Sequence, residues 1–170
     1  MTSKPFDEWS WQPCDSRSDL VARLEKAKGK VFQTLADKEA NAWGYAAQDG
    51  EFIPIGYADL GLTPVVVAWR ETVFVGSGGT LTALDAKTGQ PVFSYVMPTV
   101  FHEFLRIEDG LLLARDEIGF VALSLQGQEK WKALCGDIVE DYEIQGEIDG
   151  AVITGRTMEG SNFRFVVEMV

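Results

Sequence analysis

The stretch Val73-Phe74-Val75-Gly76-Ser77-Gly78-Gly79-Thr80-Leu81-Thr82-Ala83-Leu84-Asp85-Ala86-Lys87-Thr88-Gly89-Gln90-Pro91-Val92-Phe93 decides the fold. Its apolar runs are short, and each is closed by turn-forming residues, so they read as strands and not as helix. Strands are predicted at Val73–Gly76, Thr80–Asp85 and Pro91–Tyr95, with turns at Gly78-Gly79 and Thr88-Gly89. Asp85 can accept hydrogen bonds from backbone N–H groups of the turn that follows it, and Gly89 supplies a positive φ there. Gly76-Ser77-Gly78-Gly79 superficially suggests a phosphate loop. A strand follows it, however, where a phosphate site needs a helix N-terminus, so it reads as a hairpin turn.

Working outward, Val65–Ala68 and a turn at Glu71-Thr72 complete a four-strand copy. The order recurs as Phe104–Ile107, Leu111–Ala114, Phe120–Leu125 and Glu129–Ala133, with turns at Asp109-Gly110, Glu117–Gly119 and Gln126-Gly127. A third copy runs Tyr142–Gln145, Ala151–Gly155 and Phe163–Met169, with turns at Asp149-Gly150 and Glu159-Gly160, and has no recognisable final strand. The middle-turn glycines Gly79, Gly119 and Gly160 are 40 and 41 residues apart, and the last-turn glycines Gly89 and Gly127 are 38 apart. An aromatic, Phe93 and then Trp131, follows each last-turn glycine four residues later. A pattern with this period marks antiparallel meanders that bury both faces only by stacking on neighbours.

These residues resemble the blade repeat of quinoprotein-type (PQQ-like) β-propellers. Val73–Ser77 is similar to that family's V-Y-V-G-S strand. Ala83-Leu84-Asp85 through Thr88-Gly89 to Phe93 is similar to its A-L-D-x-x-T-G-x-x-x-W segment. Ala122-Leu123-Ser124, Gly127 and Trp131 fit the same frame, with one residue deleted and serine in place of aspartate. The resemblance implies a sheet architecture, with the closing aromatic packed between adjacent sheets, and it carries over no activity. Closure of a ring needs about four blades or more. The expected fold is therefore mainly β: four-stranded blade-like antiparallel meanders in an incomplete, half β-propeller, with a short N-terminal helical segment.

Ahead of the repeats, Ser16-x-x-Asp19 is a capping-box variant, and Leu20, Val21, Leu24 and Ala27 follow at helical spacing. A helix is expected over 17–28, stopped by Gly29. Residues 30–42 fit either a second amphipathic helix or a strand at Val31–Leu35. Trp9 and Trp11 are expected to pack on the domain. Asp49-Gly50 predicts a hairpin between Trp43–Ala47 and Glu51–Ile55, and 43–57 could form a partial further copy. The chain reads as a single domain over 1–170, with a lead-in and helix in 1–42 and blade-like repeats in 43–170.

The 170 residues are 46% hydrophobic. No run approaches the roughly 18 apolar residues of a membrane helix, and Met1–Trp11 has no apolar core of a secretory signal. Cys14 and Cys135 lack metal-binding spacing and read as reduced thiols in a cytoplasmic protein. The net charge of −11 argues against nucleic acid and anionic membranes as partners. It also has two open readings, plain solubility or complementarity to a basic protein. The lone histidine, His102, has no nucleophile elbow, zinc-binding motif or phosphate loop to accompany it and reads as a packing or surface residue in an inter-blade connection. No enzymatic activity, metal or cofactor is expected. Neighbours on a strand point to opposite faces, so Glu140-Asp141 and Asp116-Glu117 do not read as dyads.

What remains is an asymmetry of charge. Ala133–Gly155 contains no lysine or arginine but holds Asp137, Glu140, Asp141, Glu143, Glu147 and Asp149, six negative charges in 23 residues. Such a segment is either a solvated connection or an acidic face for a cationic groove. Tyr142 and Trp131 could supply aromatic anchors beside it. Cys135–Ile144 also looks like a segment of small acidic immunity proteins encoded beside polymorphic bacterial toxins. The expected function is thus a non-catalytic, cytoplasmic immunity protein that neutralises a basic partner, such as a nuclease toxin domain. Its expected partner-binding residues are Asp137, Glu140, Asp141, Tyr142, Glu143 and Trp131. The alternative is a propeller-like scaffold that binds a peptide or strand at a blade edge.

Overall fold

The computed structural model describes residues 6–170; Met1–Pro5, read above as part of the lead-in, lie outside the described residues. The chain opens with β1 (Asp7–Glu8), β2 (Ser10–Cys14), α1 (Arg17–Lys26), β3 (Lys30–Val31), β4 (Leu35–Ala36), β5 (Ala42–Gln48) and β6 (Glu51–Tyr57). The first repeat comprises β7 (Val65–Trp69), β8 (Thr72–Ser77), β9 (Thr80–Asp85) and β10 (Pro91–Val96). The second comprises β11 (Phe101–Glu108), β12 (Leu111–Asp116), β13 (Gly119–Ser124) and β14 (Glu129–Leu134), and the third β15 (Val139–Gln145), β16 (Val152–Thr157) and β17 (Asn162–Val166). The protein is mainly β. Among the described residues the strands form four blade-like sheets and no closed barrel, and the backbone divides into two compact units, one ending at Val96 and the other running Met97–Val170.

The first unit holds two sheets. Sheet I has the order β2-β5-β6-β3, with β4 also paired to β6, and sheet II has the order β1-β7-β8-β9-β10. Trp9, Phe32, Ile53, Ile55, Val75 and Leu84 are buried in the unit's core. The lead-in, expected to be irregular ahead of its helix, contributes strands to both sheets: β1 pairs with β7 and β2 with β5. Sheet I is therefore a full sheet, not a partial copy. The tryptophans pack as expected, Trp9 edge-on to Phe32 at 6.1 Å and Trp11 edge-on to Tyr57 at 5.7 Å.

Helix α1 begins where the capping pattern places it. The Ser16 hydroxyl accepts from the Asp19 N–H at 3.0 Å, and the Asp19 carboxylate reaches back to accept from the N–H of Asp15, one residue ahead of the N-cap, at 3.0 Å. Leu20 is its buried residue, and Arg17 lies over the Trp43 ring of β5 at 5.2 Å, so the helix rests on sheet I. No second helix forms within 30–42. The chain instead lays β3 and β4 parallel to β6. Two-residue strands carry no periodicity of their own, and their pairing is set by the neighbouring backbone.

The second unit holds sheet III, β11-β12-β13-β14, and sheet IV, β15-β16-β17. As expected, the third copy shows no fourth strand among the described residues. Leu113, Phe120, Ala122, Ile148, Ile153 and Val167 form the core between these two sheets. Phe120 is its hub, with Tyr142, Phe163 and Phe165 ring centroids at 5.7, 5.8 and 6.3 Å. The last turns of sheets II and III are closed by the predicted device. Asp85 accepts from the N–H groups of Lys87 and Thr88 at 2.9 and 2.8 Å, and Gly89 has φ +71°. In sheet III the Ser124 hydroxyl accepts from the N–H groups of Gln126 and Gln128 at 3.3 and 3.1 Å.

An acidic face on the three-stranded sheet

Sheet IV turns one face inward and one outward. Tyr142, Gly155 and Phe163 form one cross-strand row, and Ile144, Ile153 and Phe165 another; their side chains pack toward Phe120. Strand alternation sends the intervening rows outward: Asp141–Arg156–Asn162 and Glu143–Thr154–Arg164. The outward face is polar throughout these two rows. The next outward row, Gln145–Val152–Val166, adds two valines, with Val166 exposed at the sheet's edge.

The geometry overturns one expectation. Glu140 and Asp141 are adjacent on β15, yet both reach Arg156, at 2.9 Å to Nε and 3.2 Å to Nη2. The register shifts between Val139 and Asp141, so Glu140 is the extra residue of a β-bulge and strict alternation fails there. Arg156 is the residue immediately after the lysine- and arginine-free segment. The β15–β16 hairpin folds it back onto the two carboxylates.

The six predicted contact residues separate by position. Glu140, Asp141 and Glu143 are exposed on β15. Asp137 lies in the connection before β15, where its carboxylate accepts from the Glu159 N–H at 2.9 Å. That bond, with a second from the Ile138 N–H, holds its carboxyl below the ordinary value. Trp131 and Tyr142 face inward. Trp131 packs edge-on against Phe165 at 6.3 Å, the inter-sheet role that the blade resemblance implies for the closing aromatic.

Tyr142 belongs to a half-buried polar network that composition alone does not disclose. Its hydroxyl donates to Glu103, which also accepts from Arg115 Nε at 2.8 Å. Arg115 approaches His102 Nδ1 at 3.1 Å and lies over the Tyr142 ring at 5.2 Å. Burial, reinforced by the bond to Glu103, pushes the Tyr142 phenol well up from its ordinary value. His102 therefore sits within β11, not in a connection. Its pKa is pushed down, first by burial and then by the Arg115 charge. With Nδ1 facing a guanidinium, the ring accepts there and carries its proton on Nε2. Further along β11, Arg106 donates to the carbonyls of Gly146 and Ile144, and Glu108 accepts from the Ile148 N–H at 3.1 Å. These contacts hold sheet IV against sheet III and aim the acidic strand outward.

Fold and site together define a mainly β protein of blade-like antiparallel sheets, whose three-stranded sheet carries three carboxylates (Glu140, Asp141 and Glu143) and two arginines (Arg156 and Arg164) on its outer face. No protein-family model matches the chain, and no curated protein matches it. Among solved structures it is similar to the crystal structure of the computationally designed Ika4 protein, at 10% identity and a TM-score of 0.48. That likeness covers 84% of this chain and 94% of the designed one.

Proposed function

We propose that this chain is a non-catalytic, cytoplasmic protein-binding module, an immunity protein that neutralises a cognate bacterial toxin through the outward face of sheet IV. The observation that supports this reading is where the charge lies. The second unit carries 14 aspartates and glutamates against 6 lysines and arginines, a net of −8 out of the chain's −11. A nuclease domain presents a basic groove to its substrate. The net negative charge of this unit attracts such a groove over a distance, and the carboxylates on the outward face of sheet IV meet it on contact.

Glu140, Asp141 and Glu143 make the contact in this reading. Arg156 orders the first two without cancelling them, and with Arg164 in the Glu143 row the face keeps three carboxylates against two guanidinium groups. Asp137 shapes the turn that leads into the face, while Tyr142 and Trp131 support it from behind. The test begins with the neighbouring reading frame, which is expected to encode a large secreted protein with a basic C-terminal domain. Titrating that domain against the chain should show tight, salt-sensitive binding. Glu143→Lys, and separately the pair Glu140→Lys and Asp141→Lys, should each weaken it by about tenfold or more. Unchanged affinity in both variants, with the fold intact by circular dichroism, removes the face from the interface.

A further inference from the structure

Sheet IV has an open edge as well as an acidic face. Sheets II and III both continue past their third meander strand, β9 to β10 and β13 to β14, whereas among the described residues no strand pairs with β17 on the side away from β16. The Val167 N–H bonds to the Ala151 carbonyl, and the Ser161 carbonyl accepts from Thr157, so the odd-numbered residues turn their backbone groups toward β16. By alternation, Asn162, Arg164 and Val166 direct their N–H and C=O groups to the open side. The same three side chains are exposed on the outward face, while Phe163 and Phe165 lie on the inward face, stacked at 5.3 Å and half-buried. Unpaired backbone beside half-covered aromatic rings is the geometry that an added strand completes.

A second copy of the chain fits this edge poorly. The antiparallel register that overlaps all of β17 sets Arg164 directly opposite Arg164, and like charges so placed repel. Two-fold registers centred on Phe163 or Phe165 avoid that clash but pair only the three residues 162–164 or 164–166. Each approaching unit also carries the net charge of −8 counted above.

We propose that the open edge of β17 takes up an extended segment of the protein partner as the fourth strand of sheet IV. The segment runs antiparallel to β17. It places a carboxylate opposite Arg164, a β-branched residue opposite Val166, and apolar side chains against Phe163 and Phe165. This rests on the reading of the chain as a protein-binding module, but it concerns the sheet's edge and not its face.

The probe is the blocked peptide Thr-Val-Trp-Glu-Val-Thr, which has this pattern, added at roughly millimolar concentration to the full chain. Amide exchange is followed by NMR. Exchange at Asn162, Arg164 and Val166 is expected to slow by about tenfold or more, with no matching change along the β10 and β14 edges. A peptide with lysine in place of glutamate is expected to protect poorly, and Arg164→Glu in the chain should reverse that preference. Absence of protection, protection at β10 or β14 instead, or indifference to both charge changes overturns the proposal. Failure here with intact binding of the neighbouring-frame domain sinks the edge alone. Protection by the peptide with no binding of that domain sinks the toxin reading alone.

Discussion

Asp85 and Ser124 close equivalent turns with different chemistry. The carboxylate of Asp85 accepts two backbone N–H groups and the Thr88 hydroxyl, and the Thr88 and Lys87 N–H groups hold its carboxyl below the ordinary value. Ser124 does the same work as a buried neutral group. Ser124→Ala leaves two turn N–H groups without an acceptor and should cost about 1 kcal/mol in urea denaturation. Asp85→Asn should keep most of the turn but remove this carboxyl's share of the acid sensitivity, a stability present above the ordinary value of about 3.9 and lost as pH falls through the lowered folded value. His102 gives a second pH signature. Its lowered pKa means that the folded chain favours the neutral ring. The associated stability is complete above the ordinary imidazole value of about 6.5 and is lost as pH falls through the lowered folded value. The urea midpoint of the native chain should therefore drop more between about pH 7.5 and pH 5 than that of His102→Gln, which keeps an acceptor for Arg115. Equal drops would place the proton-sensitive group elsewhere. Burial pushes the Cys135 thiol up to about 11, so its alkylation at neutral pH should be slower than that of a free cysteine by about tenfold or more.

At the scale of elements, close backbone approach sets the β15–β16 hairpin. A Cβ on Gly155 would lie 2.2 Å from the Asp141 carbonyl oxygen and 2.5 Å from the Phe163 ring. Gly155→Ala must push β15 or Phe163 aside and should destabilise the chain by roughly 1–3 kcal/mol, read as a lower urea midpoint. Much of this architecture was legible in the sequence because turns announce themselves. The Asp49-Gly50, Thr88-Gly89 and Gln126-Gly127 turns each fall between the strands they were expected to join. The helix start at Ser16 was equally plain. Features fixed by other backbones left little trace, among them β1, β3, β4 and the bulge at Glu140. The register of β15 on β16 mattered most for the site. A tight hairpin at Asp149-Gly150 would set Glu143 against Arg156, but the longer connection between Gln145 and Val152 shifts the register to Asp141. The lysine- and arginine-free segment also ends at Gly155, one residue short of the arginine that folds back onto it. The Glu103–Arg115–Tyr142 network was invisible for a similar reason, since its members come from three strands.

At the scale of the whole molecule, the charge is unevenly divided. The first unit carries 12 acidic and 9 basic residues, a net of −3, against −8 in the second. Association with a basic partner should therefore depend on the second unit and weaken steeply with ionic strength. The most direct test is a stopped-flow measurement of association between the full chain and the basic domain that the proposed function expects the neighbouring reading frame to encode. It is run from about 0.02 to 0.15 M salt, with the native chain and Glu143→Lys. The account predicts an association rate that falls with salt and is about tenfold or more lower for Glu143→Lys at low salt, with the two converging as salt rises. Rates that ignore both salt and Glu143→Lys would contradict the assignment of the acidic face of sheet IV as the working surface.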